Sequence, residues 1–296
     1  MVKGKGYIAR ASNGSSTIVD LPITFQGGKP FNGQFNHSIS RGLTTGTDDC
    51  WNLVGNPYPS AIDADLFLAD NANIEGSVRI WMHGTLPDFF ASPFYQNFSY
   101  NYSANDYILY NGTATSIPAV FNGKIGSGQG FFVRMLEDGE TDVLQPTSTT
   151  VAATSNITFK NEYRSDAING YLYDNSEFFK SSNTTLTSTD KSRIWMDLIS
   201  SNNQVSSTVV GYVPGATLAK DRMYDALIEV DDFKLYSLIN TQKQAIQGRP
   251  VPFDSNDLVP MGVFIQTAGN YTIAISAADG LFSDVNQDIY LEDKLL

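Results

Sequence analysis

Short runs in which β-branched or aromatic residues alternate with small polar ones recur along the whole chain. Each run spans roughly four to ten residues and is bounded by Gly, Pro, Asn or Asp, which is typical of strands joined by tight turns. Only 17% of the residues are charged, and the stretches of Ala, Leu, Glu and Lys that build long amphipathic helices are scarce. The sequence therefore predicts an all-β protein. The clearest runs are Gly33–Ile39, Trp51–Val54, Ser77–Trp81, Gly130–Met135, Arg193–Leu198, Thr208–Tyr212, Lys234–Ile239 and Tyr271–Ser276.

The length of the chain indicates two sandwiches rather than one. It has 296 residues, of which 42% are hydrophobic, so it can bury a sizeable core. Residues Thr147–Ser155 consist of Ser, Thr, Ala and Val, which is typical of a connection. We predict two packed antiparallel β-sandwich (jelly-roll-like) halves, an N-terminal one over residues 1–165 and a C-terminal one over residues 166–296. Few short helices are expected, the clearest over Ala61–Leu68 with Ser60 as its N-cap.

A six-residue pattern occurs twice, once in each predicted half. Ser77–Met82 reads SVRIWM and Lys191–Met196 reads KSRIWM. In both copies Arg and Trp lie two residues apart, so a strand places them on one face and the intervening Ile on the other.

Charge and cysteine content narrow the class of protein. The net charge is −12, and the 19 basic residues form no cluster, so nucleic acid is disfavoured as a partner. No apolar run approaches the roughly 20 residues that a membrane span needs, so no membrane insertion is expected. Cys50 is the only cysteine. We expect it to be a small buried apolar residue, because no disulfide can form within the chain.

Aromatic residues are dense between Phe89 and Tyr110 and provide the candidate ligand-binding residues. Aromatic rings with polar neighbours can stack on sugar rings, whereas the alternative is ordinary packing between sheets. The candidates are Tyr95, Tyr100, Tyr102 and Tyr107.

Calcium is the one cofactor that the sequence suggests. Asp284, Asn286 and Asp288 alternate along one loop, as oxygen ligands of Ca²⁺ do, but the glycine and the downstream bidentate glutamate of a full calcium loop are missing. The alternative is that they form turns through side-chain hydrogen bonds. A second acidic group, Asp63 with its near neighbour Asp65 and with Asp70, gives a weaker signal.

Catalytic motifs are absent from the sequence. It contains no Gly-x-Ser-x-Gly elbow, and neither His37 nor His83 lies in a triad context. No pair among the 31 acidic residues stands out as a glycosidase pair. The sequence therefore favours a non-catalytic protein over an enzyme domain that degrades polysaccharide.

Seven segments along the chain form a recognisable series: Gly4–Ala11 (GKGYIARA), Trp51–Asp63 (WNLVGNPYPSAID), Ser127–Val133 (SGQGFFV), Lys191–Leu198 (KSRIWMDL), Val210–Thr217 (VGYVPGAT), Ala245–Phe253 (AIQGRPVPF) and Gln287–Leu291 (QDIYL). Together they resemble the C-terminal region of large secreted, adhesin-like surface proteins of Bacteroidota that the type IX secretion system exports. In that family the segments occur in this order, upstream of the sorting domain.

This resemblance implies a non-catalytic structural or adhesive module at the outer-membrane-associated cell surface, cut from a longer protein. Its expected partners are other domains of the same parent protein, with surface polysaccharide and other cell-surface proteins as further candidates. The alternative function is a carbohydrate-binding module, assisted by calcium. Within the resembling segments, Arg249-Pro250 breaks a strand, and the candidate acidic partners of Arg249 are Asp225 and Asp254.

Overall fold

The structure is a computed structural model that describes residues 2–7, 31–42, 50–81, 107–118, 121–136, 153–166, 170–173, 190–228, 233–283 and 287–293. Strands make up 46% of it and helices 8%. This confirms the predicted all-β, sandwich-like class.

Within its described residues, the first half contains three small antiparallel sheets and one α-helix. One sheet has the order β2-β7-β4-β5, and the pairs β1-β8 and β3-β6 form the other two. The elements are β1 (Phe35–Arg41), β2 (Trp51–Gly55), β3 (Ile62–Asp63), α1 (Ala64–Asp70), β4 (Val78–Trp81), β5 (Tyr107–Tyr110), β6 (Lys124–Ile125), β7 (Gly130–Arg134) and β8 (Ala153–Phe159), followed by a 3₁₀ turn over Asn161–Arg164.

Alternation along these strands places one face of the four-stranded sheet in the core. Val54, Ile80, Ile108 and Val133 are all buried there, and Phe67 of α1 packs into the same cluster. Phe67 meets Phe131 edge to face, with ring centroids 5.4 Å apart, a favoured geometry for aromatic pairs. Because one face of the four-stranded sheet packs into this core, the opposite face of the sheet lies outside the core.

The helix begins three residues later than the sequence indicated. Asp63, not Ser60, is the N-cap, and its Oδ1 accepts hydrogen bonds from the backbone N–H groups of Asp65 and Leu66. The chain remains extended through β3, which pairs with β6, so the first helical turn cannot start at Ser60. Capping by Asp63 is typical of helix starts, since a carboxylate satisfies free N–H groups.

In the second half, the described residues form a single sheet of seven strands. Its order is β14-β12-β13-β10-β9-β15, and β11 also pairs with β13. The strands are β9 (Ser192–Ser200), β10 (Val205–Tyr212), β11 (Ala226–Leu227), β12 (Phe233–Ile239), β13 (Gln242–Arg249), β14 (Met261–Ile265) and β15 (Tyr271–Ala278). The pairing of β10 with β13 is parallel, whereas the other pairings in this sheet are antiparallel.

Pairing between named strands stays within each half, from β1 to β8 and from β9 to β15. The predicted division between residues 165 and 166 falls between β8 and β9. The division into two domains stays a prediction, because side-chain contacts join the halves closely.

These contacts form a seam, by which we mean the hydrogen bonds that Lys191, Trp195 and Arg222 of the second half make to backbone carbonyl oxygens of the first. Lys191 Nζ donates to Gly112 O at 2.6 Å, and Trp195 Nε1 donates to Thr115 O at 2.8 Å. The Trp195 side chain lies in an apolar cluster that also contains residues of the first half. The seam therefore combines apolar burial with directed hydrogen bonds.

Arg222 makes two of the hydrogen bonds of the seam. Its guanidinium donates to Leu68 O at 3.0 Å and to Ile74 O at 3.1 Å. The backbone of Arg222 lies so close to Gly76 that a Cβ at Gly76 would fall 1.8 Å from the Arg222 carbonyl oxygen. Only glycine fits at this approach.

Part of the seven-stranded sheet presents apolar side chains to solvent. Val263 is 44% exposed, Ile273 42% and Ile275 50%. No helix among the described residues is both long and apolar enough to cross a membrane.

Candidate functional site

The outer face of the four-stranded sheet carries aromatic and arginine side chains. The register pairs Trp51 with Arg134, Arg79 with Phe132, and Trp81 with Tyr107, so all of them lie on the face opposite the core. We call this the aromatic face: Trp51, Arg79, Trp81, Tyr107, Phe132 and Arg134. Each of these residues is half-buried.

Two contacts order the aromatic face. The Arg79 guanidinium lies over the Trp51 ring, 4.2 Å from its centroid, which is a cation–π geometry. Tyr107 meets Phe132 edge to face, with centroids 5.7 Å apart. Both contacts hold polar and aromatic groups in defined orientations instead of leaving them to move as free surface side chains.

A cleft of about 270 Å³ lies where the aromatic face meets the second half. The first half contributes Arg79, Tyr107 and Leu109 to its wall, and the second half contributes residues 205–207 and Lys234, among others. Small-molecule sites in proteins are typically concave, mostly apolar and lined by a few placed polar groups. The cleft has this character and is the candidate binding site.

Lys234 is an unusual residue for a β-strand interior. It lies on β12 and is only 5% exposed. Lys234 is not among the site residues predicted from the sequence, although a lysine within the apolar run FKLYSLI is a signal that could have marked it.

Two buried carboxyl groups lie near the seam. Burial raises the pKa of Asp65 above its usual range, and the neighbouring Asp63 carboxylate raises it further. The positive charge of Lys191, from the second half, lowers the pKa of Asp65. Burial raises the pKa of Asp225 to about 6, although its carboxylate accepts hydrogen bonds from Asp221 N at 2.6 Å and Gly248 N at 2.9 Å.

Of the four predicted aromatic ligand residues, Tyr107 lies within the described part of the chain and lines the cleft. Tyr95, Tyr100 and Tyr102 lie outside the described residues. The structure therefore supplies a position for one of the four candidates, and a ligand role for all four stays a prediction.

The calcium prediction concerns a segment that is only partly described. Asp284 and Asn286 lie outside the described residues, whereas Asp288 is exposed and accepts a hydrogen bond from Tyr290 Oη at 3.1 Å. Within the described ranges, no group of three or more His, Cys, Asp or Glu side chains is placed to hold a metal ion. Calcium binding at residues 284–288 stays a prediction.

The other acidic group is occupied by protein contacts. Asp63 caps α1 and pairs with Lys124, whose Nζ lies 2.6 Å from Asp63 Oδ2. Asp70 pairs with Lys160 at 2.7 Å and accepts a hydrogen bond from Tyr163 Oη at 2.8 Å. These carboxylates serve the fold.

The structure also tests the predictions for Cys50 and Arg249. Cys50 is buried and unbridged, as predicted, and its sulfur accepts a hydrogen bond from Arg134 Nε at 2.9 Å. The partner of Arg249 is Asp257 and not Asp225 or Asp254, because the loop after Arg249 returns Asp257 to the strand, where its carboxylate accepts from Arg249 Nε at 2.5 Å.

The chain is therefore an all-β protein in which antiparallel pairing predominates in both halves, and a cleft lies between the halves. The chain belongs to the family described as a domain of unknown function (DUF8693), whose model matches residues 1–296. No curated protein and no solved structure matches the chain.

Proposed function

We propose that this chain is a non-catalytic structural or adhesive module of a secreted bacterial cell-surface protein. The sequence resemblance to type IX secretion cargo of Bacteroidota supports the location and the class. The observation that carries the structural role is the seam, which joins the sheets of the two halves through buried and partly buried hydrogen bonds. Its partners would be the neighbouring domains of the same parent protein and ligands on cell surfaces.

The seam is suited to transmit load. Arg222, Lys191 and Trp195 donate to backbone carbonyl oxygens and not to mobile side chains. Each such bond in a buried setting contributes roughly 1 kcal/mol, or more where the donor is charged. A module that holds other domains away from a surface needs a rigid junction between its halves, because a flexible junction would bend under force.

Force spectroscopy on the full chain, held at its two ends, tests the structural role. We expect the two halves to resist extension together and to unfold in one cooperative event. Two separate events, with the halves parting at low force, would overturn the role of a rigid spacer. Release of reducing ends from polysaccharides by the purified chain would overturn the non-catalytic assignment.

Protease shaving of intact source cells tests the location. We expect peptides of this chain to be released from the cell surface while a cytoplasmic marker protein stays intact. Protection of the chain until the cells are lysed would contradict the surface assignment.

A second candidate function is carbohydrate binding, and a specific observation favours it. Tyr107, which the sequence marked as a ligand residue, lines a cleft beside an ordered array of aromatic and arginine side chains. Binding and structural roles are compatible, since adhesive modules combine both.

A further inference from the structure

We propose that the chain modifies itself at Lys124 and Asp63, by forming an amide bond between Lys124 Nζ and Asp63 Cγ with release of one water molecule. The bond is a covalent cross-link between β3 and β6. Its formation requires no ligand, no metal and no second protein. It is also independent of the proposed cell-surface location and of carbohydrate binding.

Strand pairing holds the two side chains against each other. Asp63 of β3 lies directly opposite Lys124 of β6 in the antiparallel register, so both side chains lie on one face of this small sheet. Lys124 Nζ lies 2.6 Å from Asp63 Oδ2, and the two side chains are only 21% and 15% exposed. A reaction between groups held in this way is intramolecular, and such reactions are strongly accelerated by proximity and orientation.

Backbone N–H groups hold the other oxygen of the Asp63 carboxyl group. Oδ1 accepts hydrogen bonds from Asp65 N at 2.8 Å and from Leu66 N at 3.1 Å. When an amine attacks Cγ, negative charge develops on Oδ1, and donors that are already in place stabilise it. The same two bonds keep Oδ2 directed at the amine.

Tyr173 contacts both reacting groups. Its ring centroid lies 4.3 Å from Lys124 Nζ, and its hydroxyl donates to Asp63 Oδ2 at 3.4 Å. The ring shields the amine from part of the solvent. The hydroxyl donates to the oxygen that has to leave, which is the position of a general acid.

Burial makes the two charges of this pair costly. Burial disfavours the charge on Lys124, and the pKa of its amine is raised only because the Asp63 carboxylate outweighs burial. Burial also raises the pKa of the neighbouring Asp65, and the Asp63 carboxylate raises it further. An amide is neutral, so its formation removes both charges of the pair and relieves the repulsion between Asp63 and Asp65.

The atoms and electrons balance without an external reagent. The Lys124 ammonium group gives one proton to Asp63 Oδ2 along the 2.6 Å hydrogen bond, which leaves a neutral amine and a neutral carboxylic acid. The nitrogen lone pair then forms the bond to Cγ, and an electron pair of the C=O double bond moves onto Oδ1. A second proton passes from nitrogen to Oδ2, the Cγ–Oδ2 bond breaks, and Oδ2 leaves as water. Oδ1 becomes the carbonyl oxygen of the amide.

The Lys160–Asp70 pair provides a comparison within the same chain. Its Nζ–Oδ2 distance is similar, 2.7 Å, but its side chains are 33% and 40% exposed. The described hydrogen bonds to the Asp70 carboxylate come from side chains, those of Lys160 and Tyr163, and not from backbone N–H groups. We therefore expect this pair to remain ionic.

Mass spectrometry of the purified, denatured full chain tests the amide bond. We expect the intact mass to be lower than that of the sequence by one water molecule. Peptide mapping should find a cross-linked pair of peptides that joins the sequence around Asp63 to the sequence around Lys124, and trypsin should not cleave after Lys124. The full sequence mass, together with cleavage after Lys124, would overturn the proposal.

Lys124→Arg separates this bond from other dehydrations. Arginine keeps the positive charge beside Asp63, so the variant should fold, but it should show the full mass of its sequence. Loss of water that persists in Lys124→Arg would come from another reaction, such as succinimide formation at an Asp-Gly step, and would overturn the assignment. Lys160→Arg is the matched control, and we expect it to lose water as the original chain does.

Tyr173→Phe keeps the ring and removes the hydroxyl. We expect the bond to form roughly tenfold more slowly or less readily still, because the leaving oxygen lacks its donor. The mass of the chain, sampled at intervals after cell-free synthesis, measures this rate. An unchanged rate would overturn the role of the Tyr173 hydroxyl, while the cross-linked peptides decide the bond itself.

Discussion

Arg222 donates a hydrogen bond to the carbonyl oxygen of Leu68 at 3.0 Å, across 154 positions of sequence. Partial burial lowers the pKa of the Arg222 guanidinium. The free-energy cost of removing the charge from water is offset by two carbonyl acceptors. Leu68 O lies in the last turn of α1, and Ile74 O lies just beyond the end of the helix. The contact binds a loop of the second half to the helix of the first.

Replacing Arg222 should therefore destabilise the whole chain. We expect Arg222→Ala to lower the free energy of unfolding by about 3 kcal/mol, because two partly buried hydrogen bonds from a charged donor are lost. Urea denaturation followed by tryptophan fluorescence measures this. Lys160→Ala is the control, since the Lys160–Asp70 pair is solvent-exposed and should contribute less than about 1 kcal/mol. Equal losses in the two variants would contradict the role of Arg222.

Gly76 permits the approach of the Arg222 backbone, so a methyl group there should separate the halves. We expect Gly76→Ala to cost more than about 3 kcal/mol, because its Cβ would meet backbone atoms that cannot move aside without opening the seam. Gly269→Ala is the matched control, as its Cβ would lie 3.6 Å from the Tyr271 ring, an ordinary contact. Thermal unfolding that is unchanged in Gly76→Ala would show that the seam is looser than described.

Asp225 should make stability depend on pH in an unusual direction. Its pKa in the folded chain is about 6, against 3.8 for the unperturbed group, so the folded state holds the proton more tightly. The contribution of this group to stability therefore falls as pH rises from about 4 to about 6, by up to about 3 kcal/mol, and is level above that. Urea midpoints of the original chain and of Asp225→Asn across this range measure it. A difference between the two that does not vary with pH would contradict the shift.

Asp257 should show the opposite dependence. Burial alone would raise its pKa, but hydrogen bonds from Arg249 and Tyr212 outweigh burial and hold the pKa below its usual range. Its stabilising contribution is therefore complete above the unfolded pKa and is lost on acidification. At pH 7, Asp257→Asn should cost roughly 3 kcal/mol, because the Arg249 charge is left buried without its partner.

Tyr212→Phe is the control for this pair. It removes only the hydroxyl that donates to Asp257 Oδ2 at 2.8 Å, and should cost about 1 kcal/mol. Chemical denaturation at pH 7 compares the two variants, and a larger loss in Tyr212→Phe would reverse the assignment.

Features that repeat every second residue could be predicted from the sequence. The faces shared by Arg79 with Trp81 and by Arg193 with Trp195 follow from strand periodicity, and the structure has Ile80 buried in the first core. The predicted partner of Arg249 was wrong although the true one, Asp257, lies nearby in the sequence. The path of the intervening loop decides which carboxylate returns to Arg249, and a sequence pattern does not show that path.

The candidate site was even less accessible to sequence reasoning. Tyr107 was identified as one aromatic among many, but its neighbour across the cleft, Lys234, lies 127 positions later in the chain. Arg222 lies in a loop with no periodic pattern, so nothing local marks it as the residue that joins the halves. Packing between sheets sets these relationships, and a single sequence does not encode packing in a local pattern.

The pairing of β1 with β8 also has a consequence for the order in which the chain acquires structure. Phe35 lies opposite Phe159, so this two-stranded sheet joins the two ends of the first half. The closing of so long a loop costs entropy before any contact compensates for it, and folds dominated by such distant contacts form slowly. During synthesis, β1 must wait without its partner until β8 has emerged, and until then its unpaired edge is open to capture by a chaperone.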